Sequence, residues 1–220
     1  MECGGDTPTP ATEQADMSTP TQAPVATDYF AVFSLPRKLW IEMSALEQKF
    51  LHLSWKLHPD NFVNASEAER EASLRRSSEL NDAYRTLRDP VDRVEYLLGI
   101  ERARREGEQK QQAPPELLEE VFELNESLDE LREAKADGGD LAGLKGRLES
   151  AGRGFQQKLV EVDQELFATA KEWDASVDAE VAGEPTAFAV RESVKARLNA
   201  LLNRRSYIRN LVANVQKELL

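Results

Sequence analysis

Apolar residues recur at helical spacing over most of the chain, and the first clear pattern lies between residues 44 and 57. Ser44, followed three residues later by Glu47, forms a capping-box pattern and predicts a helix start. The spacing that follows predicts an amphipathic helix with one buried face. That face carries Leu46, Phe50, Leu53 and Leu57.

Three further helices are predicted around this one. Asp28 is a suitable N-cap for a short helix ahead of it. A second capping box, Ser66–Glu69, opens a long helix that we expect to end near Arg88. Asp89-Pro90 then opens another, because proline suits the first helical position. Gly99 is expected to end that helix in the left-handed conformation.

The second half of the chain predicts three long helices separated by Gly138-Gly139 and by Gly183-Glu184-Pro185. Helices with short connections pack as an antiparallel bundle. Gly152 and Gly154 weaken the middle of the second helix and predict a bend there, since glycine is a poor helix former. The apolar stripes are Leu117, Val121, Leu124, Leu128 and Leu131 in the first helix, Leu141, Leu144, Leu148, Phe155, Leu159, Val162, Leu166, Ala170 and Trp173 in the second, and Val190, Val194, Leu198, Leu201, Ile208, Leu211, Val215 and Leu219 in the third.

These patterns predict an all-α protein with two folded domains. The stretch 1–27 is rich in Thr, Pro and Ala and lacks apolar periodicity, so we expect a disordered tail that contains Cys3. The first domain is placed at 28–101, and a polar linker at 102–113 leads to a three-helix domain at 114–220.

Composition excludes several classes of function. The net charge is −12, and neither the tail nor either predicted domain is basic, so nucleic-acid binding is not expected. With one cysteine and two histidines, no metal site or cofactor is expected. Apolar runs are too short for a membrane span, and the first 27 residues lack Lys and Arg, so we expect a cytoplasmic protein. No nucleophile beside a base is visible, so an enzyme is not expected.

Between the first two long helices lies a polar break that contains His58, Pro59 and Asp60. Pro59 cannot continue a helix and pushes His58 out of helical conformation, so the three residues form the tip of a helical hairpin. A positive strip leads toward this tip along the preceding helix, and taken alone it would be an ordinary solvated face. We call it the basic strip, and it consists of Lys49, His52 and Lys56.

The motifs in this half of the chain resemble a J-domain. They are Asp28-Tyr29-Phe30, His58-Pro59-Asp60 and the run from Asn81 to Pro90, in the right order and at the right distances. With Arg93–Leu98 and the acidic helical domain that follows, residues 28–220 resemble the HscB family of J-type co-chaperones of iron–sulfur cluster assembly.

The resemblance implies a protein that is not an enzyme and has two protein partners. One is a DnaK-class ATPase chaperone of the HscA type, which the His58–Asp60 loop would stimulate and the basic strip would dock against. The other is a cluster scaffold protein of the IscU type, carried by the C-terminal bundle. The sequence departs from the J-domain pattern at Asn61, where a lysine is usual.

A candidate scaffold site lies on the first bundle helix. At 100° per residue, Leu118 and Phe122 lie outside the apolar stripe, beside a row of acids opposite the core. An apolar pair with a charged rim is typical of a small protein-binding surface, although a bundle with a wider apolar face would bury both. The resemblance favours binding, and the predicted site comprises Leu118, Phe122, Glu123, Glu126 and Glu130, with Tyr207 added from the last helix.

Two alternatives remain open. A general J-domain co-chaperone for unfolded clients often has a Gly/Phe-rich linker or CxxC zinc repeats, which this chain lacks. A helical adaptor, in which His58-Pro59-Asp60 is incidental, would keep its function after a His58→Gln change.

Overall fold

The computed structural model describes residues 27–101 and 114–220. The predicted tail up to residue 26, with Cys3, and the predicted linker 102–113 lie outside the described residues. All regular structure within the described residues is helical, which confirms the predicted fold class. The α-helices are α1 (Tyr29–Val32), α2 (Met43–Leu57), α3 (Glu67–Arg88), α4 (Pro90–Ile100), α5 (Leu118–Asp137), α6 (Leu141–Val181) and α7 (Ala187–Leu219), with short 3-10 helices at Pro59–Phe62 and Pro115–Leu117.

Residues 27–101 form an N-terminal unit built around the antiparallel hairpin of α2 and α3. Leu46 is fully buried, and Phe50 stacks on Tyr84 of α3 with ring centroids 4.2 Å apart. The short α1 is tied to α4, since the Tyr29 N–H donates to the Tyr96 hydroxyl oxygen at 2.9 Å and their rings stack. The apolar stripe predicted for α2 therefore faces the core of this unit.

Most predicted helix starts are confirmed. Asp28 caps α1, the capping box of Ser66 and Glu69 opens α3, and Asp89 caps α4 with Pro90 at its first position. Two predictions of helix ends were wrong, one at the start of α2 and one at the end of α4. Glu42 caps α2 in place of Ser44, because its carboxylate accepts the free N–H groups of the first turn. Gly99 lies inside α4, which continues one residue further.

Residues 114–220 form a C-terminal bundle of α5, α6 and α7. Leu124, Leu131, Leu148, Leu166 and Leu198 are nearly or fully buried between these helices, as their spacing predicts. Gly138, with a φ of 75°, turns the chain from α5 into α6, where a left-handed residue is needed.

Within the bundle one glycine has a packing role that its sequence pattern did not indicate, and one prediction needs correction. Helix α6 continues through Gly152, which is buried against α7; a Cβ at this position would lie 3.1 Å from Val215 Cγ1, so the glycine permits close helix packing. Val190 does not belong to the core stripe of α7, because its side chain is 48% exposed near the helix start.

The two units pack against each other through the α1–α2 loop, residues 33–42, and through α4. The Trp173 indole N–H of α6 donates to the backbone oxygen of Arg37 at 2.9 Å, and α4 lies against α7. The hairpin tip belongs to the N-terminal unit and α5 belongs to the bundle.

Candidate protein-binding sites

The hairpin tip presents His58 and Asp60 to solvent. His58 has an extended backbone, with φ −60° and ψ 131°, as expected of a residue before proline. Its Nδ1 lies 3.3 Å from the Asp60 backbone N–H, which donates to it, and 3.5 Å from a carboxylate oxygen of Asp60. The Asp60 side chain is 84% exposed, so its carboxylate is available to a partner.

Two polar side chains hold this tip in place. The Asn61 amide donates to the backbone oxygen of Trp55 at 2.6 Å, and the buried Ser73 hydroxyl donates to that of Leu57 at 2.9 Å. Carbonyls in the last turn of a helix lack partners within it. Asn61 and Ser73 therefore complete the end of α2 and fix the direction in which the loop leaves it.

The three residues of the basic strip differ in their exposure to solvent. His52 and Lys56 are exposed, whereas Lys49 is half-buried and its ammonium donates to the backbone oxygen of Phe33 at 2.8 Å. Lys49 thus ties the α1–α2 loop to α2 while still contributing positive charge to this face. The strip and the hairpin tip lie on one helix and its end, so a single partner can reach both.

The apolar pair on α5 is outside the core. Leu118 is 54% exposed and Phe122 is 71% exposed, whereas Leu117 and Leu124 on the opposite side are buried. The wider apolar face that would bury the pair is therefore absent from α5. Exposed phenylalanine surrounded by charge is a common anchor of protein interfaces.

The acids beside this pair differ in their surroundings. Glu123 and Glu126 are exposed, whereas Glu130 pairs with Arg147 of α6, and the neighbouring Glu120 pairs with Lys158 at 2.8 Å. Within the part of the chain that the structure describes, the rim acids without an ion pair, Glu123 and Glu126, are therefore those nearest to Phe122. Tyr207 lies on α7 with its side chain half-buried against the hydrophobic core.

Sequence patterns did not reveal the polar groups that hold the sites in place. Asn61 stood out only as a departure from the J-domain pattern, and Ser73 had no signal at all. Asp174, whose carboxylate accepts the backbone N–H groups of Leu39 and Trp40 from 135 and 134 residues away, was also missed. Such long-range contacts leave no periodic trace along a helix.

Within residues 27–101 and 114–220, no group of three or more His, Cys, Asp or Glu side chains is placed to hold a metal ion. The helices described by the structure include none that is long and apolar enough to span a membrane.

Two HscB co-chaperone homologs are similar in sequence to part of this chain. A co-chaperone protein HscB homolog of Vibrio vulnificus strain YJ016 is 34% identical over 139 residues, which are 63% of this chain and 80% of the relative. The homolog of Vibrio cholerae strain O395 is 39% identical over 102 residues, or 46% of this chain and 60% of the relative. No family model matches the chain.

Solved structures agree on the fold. The chaperone HscB from Vibrio cholerae has a TM-score of 0.51 at 24% identity, covering 87% of this chain and 96% of its own. Human co-chaperone HscB also has a TM-score of 0.51, at 22% identity, covering 97% of this chain and 94% of its own.

The helical hairpin tipped by His58-Pro59-Asp60 places the protein in the class of J-domain co-chaperones. Within that class, the extent of the Vibrio vulnificus match identifies the family. The chain belongs to the HscB family of co-chaperones.

Proposed function

We propose that the protein stimulates ATP hydrolysis by a DnaK-class chaperone of the HscA type and delivers to it an iron–sulfur scaffold protein of the IscU type. It thereby supports the maturation of iron–sulfur proteins, without an active site of its own. Residues 28–101 serve as the J-domain, and residues 114–220 serve as the scaffold-binding domain.

The chaperone is engaged by the hairpin tip and the basic strip. The Asp60 carboxylate is exposed at a fixed position, so it can pair with a cation on the ATPase. His52 and Lys56 add positive charge that steers the encounter with an acidic surface. The increase in rate comes from the ATPase, whose hydrolysis-competent conformation is favoured by the bound J-domain.

The scaffold is bound by the α5 face. Leu118 and Phe122 supply apolar anchors, and Glu123, Glu126 and Glu130 form a charged rim around them. Tyr207 is the proposed contributor from α7. Binding both partners to one body raises the effective concentration of each for the other.

The observation that best supports this function is the separation of the two exposed surfaces. Asp60 lies at the tip of the N-terminal unit and Phe122 lies on the bundle, and neither side chain takes part in a core. A helical adaptor would need no exposed carboxylate held at such a tip.

A single-turnover ATPase assay with a chaperone of the HscA type tests the proposal. Wild-type protein should accelerate hydrolysis, and Asp60→Ala should abolish the acceleration. Asp82→Ala, which removes another carboxylate from the same unit, is the matched control and should stimulate normally. Stimulation that survives the Asp60→Ala change would contradict the assignment of the loop.

A further inference from the structure

The basic strip of α2 consists of cations without acidic partners in the described part of the chain. The Lys49 ammonium donates to the backbone oxygens of Phe33 and Ser34, at 2.8 and 3.5 Å, and not to a carboxylate. His52 and Lys56 are exposed, and neither forms an ion pair with a described residue. Four other cations of this unit do pair with a carboxylate, namely Arg37, Lys38, Arg75 and Arg85. The strip therefore presents positive charge that is open to an acidic ligand.

The first 26 residues of the sequence carry charge of one sign only. We call this stretch, which lies outside the described residues, the acidic tail. It contains no lysine or arginine, and its acids are Glu2, Asp6, Glu13 and Asp16. Residues 28–101, by contrast, carry acids and bases in similar numbers. The acidic tail is therefore a ligand of opposite charge to the basic strip that is present in the same molecule.

The acidic tail joins the folded unit close to the strip. Thr27 is held at the start of α1, where its carbonyl oxygen accepts a hydrogen bond from the Tyr96 hydroxyl at 3.3 Å. Phe33, at the other end of this short helix, is a residue that Lys49 contacts. The path from Thr27 to Phe33 spans at most about 22 Å, and the segment from Asp16 to Thr27 can extend over roughly 36 Å. Since α2 itself is only about 22 Å long, Asp16 can reach every residue of the strip.

We propose that the acidic tail binds the basic strip and competes there with the ATPase chaperone. This inference rests on the proposed function, in which the strip docks against an acidic surface of the chaperone. Because the tail is covalently attached, its effective concentration at the strip is on the order of millimolar. A strip that is free for only a fraction of the time binds its partner with an affinity reduced by that fraction. The tail thereby disfavours weak acidic partners that an open strip would attract.

The contact between tail and strip is reversible and sensitive to salt. Exposed ion pairs are individually weak, so the tail occupies the strip for part of the time. The chaperone engages Asp60 in addition to the strip, and it can therefore displace a ligand that is confined to the strip. Exposed charges are screened over about 8 Å at physiological ionic strength. Added salt should therefore release the tail.

The first test measures the contact without any partner. Cys3 is the only cysteine of the sequence, so a nitroxide attached to it labels one end of the acidic tail in the full chain. A second label at Ser18→Cys, in a Cys3→Ser background, marks the stretch beside Asp16. At low ionic strength these labels should broaden the amide resonances of residues 52–56 more than those of α7, and about 0.5 M salt should remove the difference. Equal broadening of both regions by both labels would overturn the proposal.

A tail without charge is the matched comparison. The four changes keep the length and shape of the tail while removing its charge, and they are Glu2→Gln, Asp6→Asn, Glu13→Gln and Asp16→Asn. The preferential broadening should be lost in this variant and in His52→Ala combined with Lys56→Ala. Arg76→Ala removes an exposed cation from α3 and should leave the broadening as it is in the wild type. Preferential broadening that survives neutralisation of the tail would overturn the proposal.

The second readout is the concentration of protein that gives half-maximal stimulation of an HscA-type ATPase. The neutral tail should lower this concentration about threefold at low ionic strength, as expected if the tail occupies the strip for about two-thirds of the time. The maximal rate should stay the same. An unchanged half-maximal concentration would overturn the proposal.

A long-range repulsion between the tail and the chaperone is distinguished from competition at the strip by a further background. In His52→Ala combined with Lys56→Ala, the neutral tail should bring no gain, because its site has been removed. A gain that persists there would overturn competition at the strip. Failure of the proposed function is distinguishable from these outcomes, because wild-type protein would then stimulate no ATPase while its tail would still broaden the resonances of α2.

Discussion

The Arg93 guanidinium donates a hydrogen bond of 2.5 Å to the backbone carbonyl of Leu39, which lies 54 residues earlier in the chain. The same side chain donates to the Leu87 carbonyl at 2.6 Å and is only 4% exposed. Burial lowers the pKa of Arg93, and the charges of Asp89 and Asp174 oppose that lowering. A buried cation thus connects α4, the end of α3 and the α1–α2 loop.

Arg93→Ala should lower the free energy of unfolding by about 3 kcal/mol, because it leaves buried carbonyls without donors. Arg93→Lys should recover less than half of this, since one ammonium cannot reproduce the guanidinium fork. Urea unfolding measures both. Arg85→Ala, which removes an exposed ion pair with Asp82, should cost less than about 0.5 kcal/mol and serves as the control. Equal losses for Arg93→Ala and Arg85→Ala would show that the buried bonds contribute nothing.

The apolar pair on α5 predicts a loss of binding without a loss of folding. Leu118→Ala combined with Phe122→Ala should weaken the affinity for an IscU-type scaffold by at least about tenfold, since interface anchors contribute more than 1 kcal/mol each. Helical content by circular dichroism should stay the same, because both side chains are exposed. Calorimetric titration with the scaffold gives the affinity.

The matched control for the pair is Leu124→Ala, two residues after Phe122 and 2% exposed. It should lower the free energy of unfolding by about 3 kcal/mol, as a large-to-small core change does. If the double variant at 118 and 122 unfolds as readily as Leu124→Ala, the pair belongs to the core after all.

The capping box of α3 predicts a pH dependence of stability. The Glu69 carboxylate accepts hydrogen bonds from the Ser66 hydroxyl and from the Ser66 N–H. Both bonds lower its pKa, and the bond from the hydroxyl has the larger effect. The ionised carboxylate therefore stabilises the folded protein above the ordinary glutamate pKa, and this contribution is lost as the pH falls through the lowered pKa. Thermal unfolding from pH 7 down to pH 3 should show Glu69→Gln less stable than wild type at pH 7, with the difference shrinking in acid.

Glu79→Gln is the control for this series. Glu79 is an exposed residue in the middle of the same helix, so its replacement should leave the unfolding temperature close to that of the wild type at every pH. A Glu69→Gln difference that stays constant from pH 7 to pH 3 would mean that the carboxylate charge is irrelevant to the cap.

The helices and their buried faces were predictable because helical periodicity and capping signals are local. Leu46, Leu166 and Leu198 could be assigned to the core from spacing alone, and the structure buries each of them. The exposure of Phe122 was not predictable in this way. Whether an apolar residue beside a stripe is buried depends on how far the next helix reaches, and only the packed bundle reveals that.

The hydrogen bonds of Ser73 and Asp174 could not be predicted from the sequence either, because they too depend on how separate elements pack together. Ser73 is a small residue in a helix rich in small and charged residues, and its hydrogen bond to Leu57 depends on the angle at which α3 crosses α2. Asp174 is one of several acids along α6, and its role depends on the α1–α2 loop meeting it. Residue type alone does not single out either group, because tertiary contact determines its role.

In the proposed function, the hairpin tip and the α5 face are separate surfaces that serve two different partners. The most direct test is the single-turnover rate of ATP hydrolysis by an HscA-type chaperone, measured as scaffold is titrated in the presence of wild-type protein or the Leu118→Ala, Phe122→Ala variant. Both proteins should stimulate equally without scaffold, and low concentrations of scaffold should raise the rate further for the wild type alone. Loss of the scaffold-independent stimulation in a folded variant would show that the two surfaces do not act separately.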